Sequence, residues 1–277
     1  MSGFPGAGTH LPILAFTAAA LGLLGCAGGA PLLHPARALG QGEVRAAGGL
    51  SGQIAVGSAA DDLRVAREQA AATPEPQGQP GTNPAYAKGA LVAAAMGPGL
   101  APYVSARVGV GSGAEGGITY TGRAARIDIR KAFDSGAWSY SAGVGVSVPF
   151  YGRQQGDSLT NVDLSSLRGY GADVPLLVGW ESAGGIYKLW AGPRGGWEHV
   201  SIGALTTEPK PSAPGPELSA DRFYVGAVAG LAVGFRHVHV ALEFAGSYTH
   251  INGEYNNNRV TVTGFALTPA SSVWWTF

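Results

Sequence analysis

From about residue 98 to the carboxyl terminus, the chain is made of stretches in which large apolar residues recur at every second position. That period belongs to a strand with one face in an apolar surrounding and the other in a polar one. In "WSYSAGVGVSVPFY" (138–151), Trp138, Tyr140, Ala142, Val144, Val146, Val148 and Phe150 share one side. Ser139, Ser141, Gly143, Gly145 and Ser147 share the other. In "RFYVGAVAGLAVGF" (222–235), Phe223, Val225, Ala227, Ala229, Leu231, Val233 and Phe235 stand against Arg222, Tyr224, Gly226, Gly230 and Gly234. Both apolar stripes begin and end on an aromatic ring. About eight such stretches follow one another, near 100–111, 117–133, 137–150, 172–182, 186–201, 221–235, 237–250 and 260–277, a number that suits a small closed barrel.

Alternation alone does not say whether the apolar face meets a protein core or lipid. Composition separates the two. Charged residues make up 13% of the 277, against about 25% in ordinary soluble domains. A soluble lipocalin-like barrel or sandwich would turn a Gly, Ser and Ala surface to water, whereas soluble proteins keep a charged exterior. With the apolar side outward, the inward set comprises Arg107, Arg126, Asp128, Arg130, Asp173, Glu181, Lys188, Arg194, Arg222, Glu198, His239 and Glu243. Six basic and five acidic side chains, with His239 set aside, nearly cancel. A narrow barrel is filled by its side chains, and an unpartnered charge inside is costly. A packed, salt-bridged lumen is therefore expected, with Arg126, Asp128 and Arg130 forming a structural ladder.

The connections alternate in length. After "SGAEG" and "DSGA", a long one (152–171) is followed by "AGG", another long one (202–220), a tight turn at Arg236 and the polar "INGEYNNN" (251–258). In outer-membrane barrels periplasmic turns are short and external loops longer. The turns near 134–136, 183–185 and 236 thus fall on the periplasmic side, and 152–171, 202–220 and 251–258 outside.

The single cysteine, Cys26, excludes intramolecular disulfides and Cys-based zinc clusters by arithmetic. It follows "LPILAFTAAALGLLG" (11–25), an apolar run of signal-peptide length that is shorter than a spanning helix needs. Leu23-Leu24-Gly25-Cys26 resembles the lipobox of bacterial lipoproteins. The resemblance implies a signal peptide over 1–25, cleavage, and lipidation of Cys26; Ala27 in place of an aspartate implies the outer membrane. Residues 26–97 are rich in Ala, Gly, Pro and Gln, with "TPEPQGQPGTNP" at 73–84, and read as a flexible periplasmic tether before a barrel at 98–277. One helical candidate, "SAADDLRVAREQAAA" (58–72), interrupts it and is expected to form only transiently.

The last strand, "GFALTPASSVWWTF" (264–277), carries Val273, Trp275 and Phe277 on one face and ends on an aromatic residue. It resembles the C-terminal signal by which bacterial outer-membrane barrels are recognised for assembly. Over 98–277 the chain resembles small outer-membrane barrels of the OmpA or OmpX type. That resemblance implies an all-β, antiparallel, up-and-down transmembrane barrel whose partners are outer-membrane lipids and the barrel-assembly machinery. A monomer with an envelope-structural or surface-interaction role is expected, the rival roles being a narrow channel or a lipid-modifying enzyme. Pro269 and the outward-assigned Arg123 and Lys131 depart from an ideal lipid face.

Chemistry-bearing residues are sparse. Ser247, His250 and Glu254 lie close in sequence, but Ser247 and His250 have opposite strand parity, so no catalytic set is expected. His237 and His239 have a metal-compatible spacing without a recognisable third ligand. The glycines of "VGVGSGAEGG" (108–117) lack the Lys-Ser/Thr of a phosphate loop. No cofactor or metal is expected. A formal net charge of zero offers no field for nucleic acid.

Overall fold

The computed structural model describes residues 28–72, 83–150, 159, 162, 164–202 and 217–277. Cys26, the signal segment 1–25 and most of the proline-rich run at 73–84 lie outside the described residues, as do large parts of the loops at 152–171 and 202–220.

Among the described residues, ten antiparallel strands close into one barrel. They are β1 (Val44–Val56), β2 (Gly99–Gly111), β3 (Ala114–Tyr120), β4 (Ala124–Ser135), β5 (Trp138–Pro149), β6 (Leu167–Glu181), β7 (Tyr187–Ile202), β8 (Leu218–Phe235), β9 (Val238–Tyr255) and β10 (Asn258–Thr276). Neighbours in sequence are neighbours in the sheet, and β1 seals it against β10 from Arg45↔Thr276 to Val56↔Phe265. The expectation of about eight strands is corrected at two places. The stretch 117–133 is a hairpin, because Gly122 takes φ +70° and Thr121 hydrogen-bonds back to Ala124, reversing the chain between β3 and β4. The other strand, β1, lies inside the segment read as a tether. Its outward Val44, Leu50, Ile54 and Val56 are separated by small residues that carry little apolar signal.

Two helices follow β1 before β2 begins. Helix α1 (Ser58–Ala72) is the candidate of the sequence, here packed rather than transient. Helix α2 (Pro84–Met96) starts at Asn83, whose side chain accepts from the Ala85 N–H at 3.0 Å, and stops at Gly97 in the left-handed conformation. Ten of its 13 residues are buried, so it has no polar face and no periodicity to betray it. The two helices meet at Gly89, where an added Cβ would stand 2.2 Å from the Ala66 Cβ.

The connections sort by end. Ser112–Gly113, 136–137, 182–186 and Arg236–His237 are short and share one end with the C-terminus; α1 and α2 lie at the other, where β5 ends and β6 begins and where β7 ends and β8 begins. The hairpin of β9 and β10 also turns at that second end, on Asn256 and Asn257, both at positive φ as a two-residue turn of the I′ kind requires. The strands therefore run through most of the stretch 251–258 that the sequence placed in a loop. The short-turn end is the periplasmic one.

The barrel is lopsided. Strands β8, β9 and β10 have 18, 18 and 19 residues, about twice the 9–11 that cross a membrane. Their outer ends reverse the usual polarity of the wall. Inside, Ile251, Tyr255 and Val262 pack on α1 and α2; outside, Thr261 bonds Asn252 at 2.9 Å and Arg259 pairs with Glu254 at 3.1 Å. Beyond the membrane the walls thus behave as a soluble barrel around a helical core.

Candidate functional site

Across the membrane-crossing part the wall is apolar outward on every side. Ile129 is 65% exposed and Val146 58%, with Val174, Leu176, Val225, Leu231, Leu242 and Phe244 completing the band. Aromatic side chains border it. Phe133, Trp138, Tyr187, Phe235, Trp275 and Phe277 lie toward the periplasmic end, and Tyr120, Tyr170, Phe223, Tyr248 and Phe265 toward the other. Rings prefer the headgroup level. An exposed apolar belt of this extent is far larger than soluble monomers show, and a closed barrel that carries it resides in an outer membrane.

The lumen holds the charges, and it holds part of the chain as well. Residues 28–43 run down the inside of the barrel, from Gly28, whose N–H donates to the Gly97 carbonyl, to Glu43 at the periplasmic rim. Leu32, Leu33, His34 and Ala36 are buried along this path. This corrects the tether reading of 26–97: the segment is a plug.

Each lumenal residue named from parity faces inward, and most of them grip the plug or one another. Arg107 bonds Glu115 and reaches Asp128, whose other contact is Arg126. Arg126 continues to Asp173 at 2.8 Å, and Arg194 reaches the same carboxylate at 3.0 Å while donating to the Ala30 carbonyl. Arg130 pairs with Glu115 at 2.7 Å and donates to the plug carbonyls of Pro35 and Arg37. Glu243 accepts the N–H groups of Leu32 and Leu33, each at 2.7 Å, and the Trp190 indole at 2.9 Å. Glu198 joins Arg222 at 3.0 Å nearer the helices, and Glu181 holds Lys188. Buried ion pairs offset their own desolvation at best; the gain here is geometric, because the carboxylates and guanidiniums also satisfy backbone groups of a strandless segment that would otherwise be orphaned.

Several participants were not legible. Glu115 stood in what the sequence showed as a turn, and Arg123 was assigned outward. In the structure Arg123 is buried in the β3–β4 turn and caps α2, donating to the carbonyls of Ala94, Ala95 and Met96. The signal for it was local: a Thr-Gly pair immediately before a lone arginine. Lys131 does point outward and reaches the Ser112 carbonyl at the periplasmic turn.

The remaining candidates separate. Ser247 lines a lumenal cavity of about 50 Å³, whereas His250 lies on the outer face of β9, bonded to Asn252 at 3.0 Å, and Glu254 is paired with Arg259. The structure does not bring the three together. His237 sits in the β8–β9 turn and His239 faces the lumen; among the described residues no three metal-ligating side chains cluster.

No protein-family model and no curated protein matches the chain. Solved structures similar to it include Neisserial surface protein A, at 8% identity over 85% of this chain and 96% of that one, with a TM-score of 0.35. A major outer membrane protein from Thermus thermophilus is similar at 13% identity over 63% and 98%, TM-score 0.32. Ail, the attachment invasion locus protein of Yersinia pestis, is similar at 9% over 86% and 99%, TM-score 0.27. Superpositions this loose assign no role; the belt and the filled lumen of the chain itself are what bear on function.

Proposed function

We propose that this protein is a closed outer-membrane barrel with an envelope-structural or surface-interaction role, and that it does not conduct. One observation carries the proposal: the lumen is occupied along its length by residues 28–43, held by Glu115, Arg130, Arg194 and Glu243. A solute path would have to displace that segment and break the polar contacts that hold it. The part offered to the exterior is the tall wall of β8 to β10 with its polar outer face, together with the connections from β5 to β6 and from β7 to β8. Separation of Ser247 from His250 removes the support the sequence lent to a hydrolase. Acylation of Cys26 is a separate proposal, which requires the chain to leave the lumen within two residues of Gly28, buried at the helix end of the plug; metabolic acyl labelling that disappears in Cys26→Ser tests it.

The central test is conductance in planar bilayers, using chain whose heat-dependent mobility in SDS shows that the barrel is closed. Silent bilayers are the expected result. Stable unitary steps from the unaltered chain would replace this reading with that of a channel.

A further inference from the structure

At the periplasmic mouth, between the last residues of the plug and the wall, lies a polar vestibule of about 220 Å³. Its lining brings four cationic side chains, Arg37, Arg45, Lys188 and Arg236, against two carboxylates, Glu43 and Glu181. Neither carboxylate forms a hydrogen bond or an ion pair with Arg45. Glu181 is shared by Lys188 and Arg37, and Glu43 accepts the Gly40 N–H of its own turn at 2.8 Å.

Arg45 points inward from the first strand and is 6% exposed. Among the described residues its one hydrogen bond is a long one, 3.5 Å to the Thr276 hydroxyl, and the guanidinium lies over the Trp274 ring at 4.8 Å. Its Nη1 has no partner among them. Two neighbours share that condition. Trp274, 1% exposed, has an unpartnered indole N–H. His239, 4% exposed, donates Nε2–H to the Gly185 carbonyl at 3.0 Å and leaves Nδ1 without a partner; its ring centroid lies 5.9 Å from that of Trp274, the planes tilted by 41°. Elsewhere in the lumen guanidiniums meet carboxylates or backbone carbonyls at short range. Here a buried cation and a buried N–H face a cavity together, and a buried charge with no counter-ion is strongly unfavourable.

We propose that the vestibule binds a small oxyanion of the phosphate class. Arg45 is its counter-ion, the Trp274 N–H a second donor, and Lys188 and Arg236 supply the surrounding positive field. Several N–H donors converging from different directions suit a tetrahedral anion, and the guanidinium fork suits two of its oxygens. Free phosphate and the headgroup phosphate of a periplasmic-leaflet lipid present the same chemistry, and the vestibule opens at the level of that leaflet. The inference stands apart from the non-conducting role, because its donors Arg45 and Trp274 belong to the wall strands β1 and β10 and not to the plug.

The test uses the full chain in a phosphate-free maltoside detergent. Inorganic phosphate and a short-chain phosphatidylglycerol are titrated separately by calorimetry against the unaltered chain, Arg45→Gln and, as an external control, Arg259→Gln. Saturable one-to-one binding is expected for at least one probe, weakened at least about tenfold in Arg45→Gln, as loss of a charge-assisted bond implies, and unchanged in Arg259→Gln. Phosphate binding assigns the site to a soluble anion, and a response to the lipid alone assigns it to a headgroup. Without either probe, Arg45→Gln is expected to melt at or above the temperature of the unaltered chain, since it removes an unpaired charge. Binding of neither probe, or equal binding by the unaltered chain and Arg45→Gln, overturns the proposal.

Discussion

Glu243 is the residue through which the plug can be tested most directly. Its carboxylate accepts three buried donors, the N–H groups of Leu32 and Leu33 at 2.7 Å and the Trp190 indole at 2.9 Å. Glu243→Ala leaves all three without an acceptor at a site that is 4% exposed. Each orphaned buried donor costs about 1–3 kcal/mol, so the three, with partial relaxation, amount to about 3–6 kcal/mol. Glu243→Gln keeps one acceptor oxygen and is expected to cost roughly half as much, about 1–3 kcal/mol. The assay is urea unfolding of the barrel in lipid vesicles, followed by tryptophan fluorescence, to which Trp190 beside the substitution contributes. Bilayer conductance is the second readout: a loosened plug should admit brief openings in Glu243→Ala that the unaltered chain lacks. Glu254→Ala, which breaks only the external pair with Arg259, is the control, with a cost under about 1 kcal/mol. If Glu243→Ala unfolds within about 1 kcal/mol of the unaltered chain and stays silent, the plug is not anchored as described.

Three further outcomes are expected. Val144→Arg places a charge on the lipid face in the middle of β5 and should destabilise the barrel by about 2–4 kcal/mol in bilayers, measured by the same urea titration. Gly89→Val drives a side chain into the Ala66 Cβ and the Asp62 carbonyl, 2.2 and 2.8 Å from the position of the added Cβ. Overpacking of that kind costs about 1–3 kcal/mol; hydrogen exchange should show α1 and α2 losing protection while the strands keep theirs. Deleting Phe277 removes its N–H bond to the Val44 carbonyl at 2.8 Å and the terminal ring of the outer face. Less heat-modifiable barrel should then accumulate in the outer membrane, whereas an unchanged amount would argue against Val273, Trp275 and Phe277 as an assembly signal.

Strand parity and composition account for what was legible before folding. Period two with few charges dictates that apolar side chains face out and charged ones in, and that rule places Arg107, Arg126, Asp128, Asp173 and Glu243 inside whatever the strand count. The alternation of short and long connections distinguished one end from the other. Parity says nothing, however, about elements made of small residues. Strand β1 is Gly- and Ala-rich, α2 is apolar all round, and residues 28–43 have no regular structure at all; each is defined only by what it packs against. The same holds for partners. Glu115 becomes a plug anchor, Arg123 a helix cap and Arg45 an unpaired cation because closing ten strands brings together residues far apart in the chain. Whether the interior is a pore or a filled lumen was decided there, by a chain segment that folds back into the barrel it precedes.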